Sequence, residues 1–214
     1  MLLKASGILF DNDGVLVDSH VEVERCWETL ANEFGVVGFS AHNHHGVRAQ
    51  DLVMQLVGQE RFEEANNRIN ELEQESAHKT VAMPGAVELV TSLPDGIWTI
   101  CTSANSNLGR ARIKAAGIPL PEAFVCGDDV ENGKPAPDPY LLGAKRLGID
   151  PSDCIVFEDA DAGIKSALAA KVGFVIGVSV RALDTDADIV IEDLAGISFD
   201  GKQLVIPEHK ILRR

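Results

Sequence analysis

Two carboxylates near the start of the chain, Asp11 and Asp13, follow an apolar run and precede Gly14. Alternate residues of a strand point to the same side, and a glycine turn lets the chain swing away after them, so both carboxylates can face one site in different roles. One can attack an electrophile while the other moves protons, which is the outline of phosphoryl-transfer chemistry. An isolated Asp-x-Asp-Gly is equally typical of a strand end with solvated turn residues, so later segments must decide.

Three later segments add hydroxyl, ammonium and carboxylate side chains. They are 99–103 with Thr102 and Ser103, 133–138 with Lys134, and 155–163 with Glu158 and Asp159. Each one alone has an ordinary structural explanation. A threonine such as Thr102 is a common strand residue, a lone lysine such as Lys134 usually lies on the surface, and Asp159 could cap the next helix. Asp161 is the better N-cap candidate, which leaves Asp159 free.

In this order the four segments resemble the four motifs of the haloacid dehalogenase-like superfamily, over about residues 7–177. The runs 43–51 and 158–163 are most similar to those of its small sugar-phosphate and glycerol-phosphate phosphatases, a branch that also contains the β-phosphoglucomutases. The resemblance implies an α/β fold, with a three-layer Rossmann-like parallel-sheet core and an inserted helical cap. It also implies an enzyme that hydrolyses a small phosphomonoester.

The resemblance implies a catalytic set of Asp11, Asp13, Thr102 and Lys134. Asp11 is the expected nucleophile and would form an aspartyl-phosphate. Asp13 would protonate the leaving alkoxide and then deprotonate the attacking water. Thr102 would hold phosphoryl oxygens, and Lys134 would neutralise the phosphoryl group and the intermediate.

Magnesium is the cofactor that the resemblance implies. Asp11, Glu158 and Asp159 would supply hard oxygen ligands, and Asp13 would add its backbone carbonyl. The formal net charge of −14 makes such a cation necessary, because the mean field of the protein repels an anionic ester. The bound ion, Lys134 and a cap arginine would overcome that repulsion locally.

Substrate-binding residues are predicted at Ser103, Arg48 and His45. Arg48 and His45 belong to the run 42–48, which carries three histidines and one arginine in the predicted cap. The histidines lack the i, i+4 helical spacing and the evident fourth ligand of a zinc site. We therefore expect recognition of hydroxyl or phosphate groups there.

Two departures from the family pattern affect the choice of reaction. A mutase of this branch carries a cap histidine twelve residues beyond the nucleophile, where this chain has Val23. This favours hydrolysis, with a β-phosphoglucomutase-like mutase as the alternative. Asp13 disfavours a dehalogenase, which has no leaving alkoxide to protonate. Asn12 replaces a usual apolar residue, and we expect little consequence because its side chain should not reach the phosphate.

Composition restricts the classes of partner and location. The acidic charge argues against nucleic acid and anionic membranes, which need a positive surface. The four cysteines lack the density and spacing of a disulfide scaffold and are expected to be reduced core residues. No signal peptide or run of about 18 uncharged residues is evident, so a cytoplasmic location is expected. A monomer is the default for the oligomeric state, and the resemblance implies a small phosphorylated sugar or polyol as the partner.

Apolar runs and helical patterns predict where the sheet and the cap lie. Strands are predicted at about 7–11, 97–102, 123–126, 154–158, 172–178 and 188–191. They alternate with helical patterns from about residue 85, as in a parallel sheet wound by helices. The resemblance to the family implies that the strand at 7–11 lies between those at 97–102 and 154–158. The acidic stretch 184–193 is expected to be a solvated edge around the last strand.

The first two predicted strands are about 85 residues apart, too far for one crossover. Apolar residues at helical spacing predict a helix from Asp18–Ser19 to Gly35 and two more over 48–58 and 60–78. We therefore predict a cap domain of residues 16–83 inserted in a catalytic core of residues 1–15 and 84–214. The carboxyl ends of the core strands would bring the motifs together.

Two rival functions are weighed against this interpretation. A response-regulator receiver domain also combines aspartates, a hydroxyl residue and a lysine on a parallel sheet. It lacks the inserted cap and carries its acceptor aspartate on a middle strand, so it fits poorly. A binding protein without catalytic activity is not excluded by the sequence, although every expected group is present.

Overall fold

The computed structural model describes residues 1–40 and 46–214. Its strands are β1 (Leu2–Lys4), β2 (Gly7–Phe10), β3 (Val17–Asp18), β4 (Val81–Ala82), β5 (Trp98–Ile100), β6 (Cys154–Glu158), β7 (Phe174–Val178), β8 (Ile189–Ile191), β9 (Ser198–Phe199), β10 (Gln203–Val205) and β11 (Ile211–Arg213). Its α-helices are α1 (His20–Phe34), α2 (Ala49–Ser76), α3 (Ala86–Ser92), α4 (Ser106–Ala115), α5 (Asp138–Leu147) and α6 (Asp161–Ala169).

A six-stranded sheet in the order β11-β8-β7-β6-β2-β5 forms the centre of the molecule. All its neighbouring strands are parallel except β11, which pairs antiparallel with β8. Strand β2 lies between β5 and β6, as expected from the sequence. The chain therefore has the predicted α/β fold class.

Side chains of β2 alternate between the two faces of this sheet. Ile8 and Phe10 belong to one apolar cluster, which includes Leu89 of α3 and Ile113 of α4. Leu9 belongs to a second cluster on the other face, where α5 and α6 pack. Because helices cover both faces, β2 is apolar throughout, and both β2 and β6 are fully buried.

Helices α1 and α2 lie in the chain between β2 and β5 and share a separate apolar cluster. The two connections to the sheet pair as an antiparallel ribbon, with Val17 opposite Ala82. Helix α1 ends at Gly35 in the left-handed conformation, as predicted. Gly58 has non-helical angles and breaks α2 between the two helices expected there. The division into cap and core domains stays a prediction.

Several short elements differ from the sequence expectations. Residues 123–126 form only the bridge between Val125 and Cys101, not a strand. The stretch 184–193 is not a free edge, because β11 pairs with the outer side of β8. A second, antiparallel sheet in the order β1-β10-β9 was not expected.

Two further observations bear on composition. All four cysteines are buried free thiols, which confirms the expectation that they are core residues. Among the described residues, no helix combines the length and apolar character needed to cross a bilayer.

Candidate active site

Three neighbouring strands deliver the predicted catalytic side chains to one edge of the sheet. Asp11 follows β2 directly and donates its N–H to the carbonyl of Phe157 in β6 at 2.9 Å. Glu158 is the last residue of β6, and Thr102 lies two residues beyond β5. Since parallel strands end at the same edge, residues almost 150 positions apart meet there.

Lys134 is the cation at the centre of this site. Its Nζ lies 2.6 Å from Oδ1 of Asp11 and 2.6 Å from Oε1 of Glu158, and its side chain is fully buried. Burial lowers the pKa of Lys134, but the two carboxylates outweigh it and hold that pKa above its ordinary value. Lys134 is therefore a fixed positive charge beside the expected nucleophile.

Glu158 is fully buried and has its acceptor capacity filled. Its Oε1 also accepts a hydrogen bond from Tyr140 at 2.8 Å, while Oε2 accepts the N–H groups of Asp159 and Ala160. Burial, followed by the nearby charge of Glu158, raises the pKa of Tyr140, so its hydroxyl remains a donor. These contacts fix the carboxylate between the lysine and the adjoining backbone.

Asp11, Glu158 and Asp159 have carboxylate oxygens within 4.8 Å of one another. Burial, together with Glu158 and Asp159, raises the pKa of Asp11, while Lys134 opposes the shift. Three carboxylates face the ammonium group of Lys134, and Nη1 of Arg181 lies 3.6 Å from Oδ2 of Asp159, so the cluster keeps an excess of negative charge when ionised. Oδ2 of Asp159 is buried and accepts no hydrogen bond among the described residues, although His20 Nε2 lies 3.2 Å away. The three carboxylates are rich in oxygen and negatively charged, and they include this buried oxygen of Asp159, which has no hydrogen-bond donor in the described part of the chain. Such a cluster fits a divalent cation.

Two glycines allow these carboxylates to approach the backbone. A Cβ on Gly163 would lie 1.6 Å from Oε1 of Glu158. A Cβ on Gly14, where φ is +89°, would lie 2.2 Å from Oδ2 of Asp159. Any other residue at either position would displace a carboxylate of the cluster.

Asp13 faces a different set of partners from Asp11. Its Oδ1 accepts hydrogen bonds from Ser19 Oγ at 2.5 Å and from Arg112 Nη1 at 3.0 Å, and Asn12 donates to Oδ2 at 3.2 Å. Burial raises the pKa of Asp13, but Arg112, Ser19 and Asn12 together lower it below its ordinary value. Asn12, from which little consequence was expected, thus contacts this carboxylate.

Arg112 also reaches the inserted helices. Its Nη2 lies 3.3 Å from Oε1 of Glu73 in α2, and both side chains are about 95 % buried. Burial raises the pKa of Glu73, while Arg112 opposes that shift. A chain of charges therefore runs from Asp13 in the core through Arg112 to the insertion.

A cavity of about 90 Å³ lies between the core and the inserted helices. Asp11, Asp13, Thr102 and Ser103 form its polar floor. Val23, at the position of the mutase histidine, is on its apolar wall. An ester bound above Asp11 would place its alcohol group in this space.

The structure brings only some of the predicted substrate-binding residues to this cavity. Ser103 lines the cavity and donates to the carbonyl of Gly46 at 2.7 Å. Arg48 does not line it, because its guanidinium pairs with Asp51 at 2.7 and 3.0 Å and donates to the carbonyls of Val130 and Glu131. His45 lies outside the described residues.

The predicted helix cap at Asp161 is wrong. Ala160 occupies the N-cap position, and Asp161 is the first helical residue, paired with Lys165 at 2.6 Å. The carboxylate of Glu158 instead accepts the N–H of Ala160, so a site residue satisfies the backbone there. The expectation that Asp159 does not serve as the cap agrees with this arrangement.

Arg112, Glu73 and Tyr140 are the site residues that sequence reasoning missed. A signal for two of them exists in the helical spacing. Arg112 lies four residues after the buried Leu108, and Glu73 lies four residues after the buried Ile69. A charged residue on the apolar stripe of a helix indicates a buried partner, because unpaired charges are rarely buried.

Comparison with known proteins places this site in a family context. The family model described as haloacid dehalogenase-like hydrolase matches residues 5–171. Hexitol phosphatase A of Escherichia coli is 39% identical, over 92% of this chain and 94% of the relative. Glycerol-1-phosphate phosphohydrolase 1 of Saccharomyces cerevisiae is 29% identical, over 99% and 85%. A hydrolase structure from Pseudomonas syringae superposes with a TM-score of 0.78 at 26% identity, covering 88% of this chain and 94% of that one.

Proposed function

This chain belongs to the haloacid dehalogenase-like hydrolase family, and on that premise we propose that it is a magnesium-dependent phosphatase of small sugar or polyol phosphates. The observation that carries the proposal is the position of Lys134 Nζ, 2.6 Å from Asp11 and from Glu158, within a cluster of three carboxylates. In this position the positive charge of Lys134 offsets the repulsion between the Asp11 carboxylate and an approaching phosphoryl group. Curated relatives named as hexitol and glycerol-1-phosphate phosphatases support the same reaction.

In the first half-reaction a carboxylate oxygen of Asp11 attacks phosphorus, and the bond from phosphorus to the ester oxygen breaks. Asp13 gives its proton to the leaving alkoxide, so an alcohol departs and an acyl phosphate remains on Asp11. Thr102 and the neighbouring amides hold phosphoryl oxygens. Lys134 offsets the negative charge that develops on them.

In the second half-reaction water attacks the acyl phosphate. Asp13 takes a proton from that water, and the bond between phosphorus and Asp11 breaks to release inorganic phosphate. Asp13 has then recovered the proton that it gave up, so the cycle is balanced. Covalent catalysis divides a very slow hydrolysis into two easier steps.

Magnesium would be held by the carboxylates of Asp11, Glu158 and Asp159, with the backbone carbonyl of Asp13 as a further ligand. When bound, the ion supplies charge neutralisation for the phosphoryl group and the nucleophile. Glu158 already accepts hydrogen bonds from Lys134, Tyr140 and two backbone amides. Asp159, with its unsatisfied Oδ2, is the carboxylate most available to the ion.

A panel of phosphomonoesters tests the proposal. Purified protein with Mg²⁺ should release inorganic phosphate from glycerol 1-phosphate, from hexitol phosphates and from p-nitrophenyl phosphate. The Asp11→Asn variant is the matched control and should release none above background. If no ester in the panel releases phosphate with any of the added divalent ions, the assignment is refuted.

The mutase alternative is separated by the product. With glucose 1-phosphate, a phosphatase releases phosphate and free sugar and needs no bisphosphate activator. Val23 gives the cavity wall no group that could engage a sugar hydroxyl and direct it to the intermediate. Isomerisation without phosphate release, stimulated by a sugar bisphosphate, would establish the mutase instead. A cytoplasmic location and a monomeric state stay predictions from sequence.

A further inference from the structure

The cavity above Asp11 has mostly apolar walls in its upper part, contributed by α1, α2 and α4 and by the loop residues Phe39 and Val47. They are formed by Val23, Trp27, Phe39, Val47, Leu52 and Leu108. Two charged side chains, Glu73 and Arg112, interrupt this apolar surface. A buried ion pair next to apolar walls is costly unless its remaining hydrogen-bonding capacity is used.

The remaining hydrogen-bonding capacity of Glu73 and Arg112 is not used by any of the described residues. Nε of Arg112 is buried and has no acceptor among them. Glu73 accepts one hydrogen bond through its side chain, from Arg112, at the long distance of 3.3 Å. The pair therefore offers a free N–H donor and free carboxylate lone pairs beside the cavity.

A hydroxyl group is the ligand that fits such a pair, because it donates and accepts at the same time. One hydroxyl can donate to Glu73 while it, or its neighbour on the next carbon, accepts from Arg112. A second phosphate fits poorly because Glu73 would repel it. An alkyl or aryl alcohol would leave both charged groups buried and without additional partners.

We propose that Glu73 and Arg112 form the subsite that binds the hydroxyl groups of the leaving alcohol, and so select polyol and sugar phosphates over esters of apolar alcohols. This inference rests on the proposed phosphatase function and names two residues that determine its specificity. The cavity volume of about 90 Å³ is large enough for several water molecules or a short polyol segment, which matches this use.

The test compares two esters that differ only in hydroxyl groups, glycerol 1-phosphate and n-propyl phosphate. For the wild type, kcat/KM should be about 10–100-fold higher with glycerol 1-phosphate, the effect of leaving buried polar groups unpaired. In Glu73→Ala that ratio should fall to within about threefold of unity, since the discriminating partner is gone. Cleavage of n-propyl phosphate should change much less than that of glycerol 1-phosphate.

Two controls make the ratio interpretable. Glu63→Ala removes an exposed carboxylate from the same helix and should keep the wild-type ratio. Glu73→Gln keeps the size of the side chain and should retain part of the preference. It serves as the test variant if the larger truncation, Glu73→Ala, disturbs folding. Because both esters are measured on one protein sample, a partly unfolded fraction cancels from the ratio.

Each outcome bears on the proposal. A wild type that does not discriminate, or a Glu73→Ala variant that loses both esters equally, would overturn the subsite and leave a structural role for the pair. Failure of the proposed function would give a different result from failure of the subsite, because the wild type would then hydrolyse neither of the two esters nor p-nitrophenyl phosphate. A reduced ratio in Glu73→Ala with a preserved ratio in Glu63→Ala is the supporting result.

Discussion

Nη1 of Arg112 lies 3.0 Å from Oδ1 of Asp13, although 99 residues separate them in the chain. The contact holds Asp13 in its charged form, which suits a base and not an acid. For Asp13 to protonate a leaving group, Arg112 must release it.

Replacing Arg112 by methionine should destabilise the protein in a pH-dependent way. The arginine is the counter-charge of the buried Glu73 and of the half-buried Asp13, and loss of one partner of a buried pair such as Arg112–Glu73 costs about 3–5 kcal/mol. The pKa of Asp13 is lowered in the folded wild type, so its stabilising contribution is present above its unfolded pKa and is lost as pH falls through the folded value.

The melting-temperature difference between wild type and Arg112→Met should therefore be large at pH 7 and shrink as the pH falls below about 4, with Glu73, whose pKa is raised, taking up its proton before Asp13, whose pKa is lowered. Thermal unfolding at a series of pH values measures it. Arg112→Lys keeps the charge and serves as the matched control, with a smaller difference. A difference that is the same at pH 7 and pH 3.5 would contradict the electrostatic explanation.

The convergence of the core groups could be predicted because it follows from topology. Asp11, Thr102 and Glu158 each end or follow a buried parallel strand, and such ends share one edge. Lys134 stands on a loop, so periodicity says nothing about where it points, and only the order of the motifs indicated it. Tyr140 sits on a helix beside that loop and gave no separate signal.

The links between core and insertion could not be predicted in the same way. Arg112 and Glu73 lie 39 residues apart, and their pairing depends on how α2 packs against α4. The helical spacing marks each of them as a charged residue on an apolar stripe, but it does not say which residue of the other helix is its partner. The short strands β9, β10 and β11 were missed for a related reason, because two or three residues give too little alternation to recognise.

Asp11→Asn should abolish turnover and raise the stability of the metal-free protein. Burial and neighbouring carboxylates raise the pKa of Asp11, so its ionised form is unfavourable in the folded state. That cost is absent below the unfolded pKa and is present in full above the folded pKa. The amide removes it, and each kcal/mol regained raises the melting temperature by about 2–4 °C.

Thermal unfolding in a chelator at pH 7.5 and pH 3.5 measures the effect, with phosphate release followed in parallel. The stabilisation should be present at pH 7.5 and vanish at pH 3.5. Asp161→Asn changes an exposed carboxylate near the cluster and should alter neither property. A destabilised Asp11→Asn at neutral pH would contradict the charge excess deduced for the cluster.

Magnesium should stabilise the wild type through the three carboxylates, and chelation should abolish turnover. A ligand present at about 100 times its dissociation constant adds about 2.7 kcal/mol to the free energy of unfolding. Asp159→Asn should lose most of this stabilisation, because Oδ2 of Asp159 is the buried oxygen that lacks a hydrogen-bond donor. The melting temperature with and without 10 mM Mg²⁺ is the measurement.

Calcium gives a second, independent check of the same site. It accepts more ligands at longer distances than magnesium and can hold Asp11 through both oxygens, which prevents attack. Added Ca²⁺ should therefore inhibit the Mg²⁺-supported reaction while still raising the melting temperature. Full activity in the presence of a chelator would refute the proposed metal dependence.

Arg48→Ala should lower turnover on every ester, because Arg48 connects the start of α2 to the loop that carries Lys134. Its guanidinium donates to the carbonyls of Val130 and Glu131, and its side chain covers Gly133, where a Cβ would lie 2.5 Å from Nε. Loss of this contact loosens the loop immediately before Lys134, so kcat should fall about tenfold for glycerol 1-phosphate and p-nitrophenyl phosphate alike, as small displacements of a positioned group do.

The substrate-binding role predicted for Arg48 gives a different result, a larger loss for glycerol 1-phosphate than for p-nitrophenyl phosphate. The ratio of kcat/KM for the two esters therefore separates a positioning residue from a binding residue. Arg61→Ala, an exposed arginine on the same helix, should leave both rates unchanged. Asp51→Asn should reproduce a weaker form of the Arg48→Ala effect, since Asp51 orients the guanidinium through two hydrogen bonds. Because Asp51 is partly exposed and is paired with Arg48, an equal loss on both esters in Asp51→Asn would support the contact between Arg48 and the Lys134 loop as the cause.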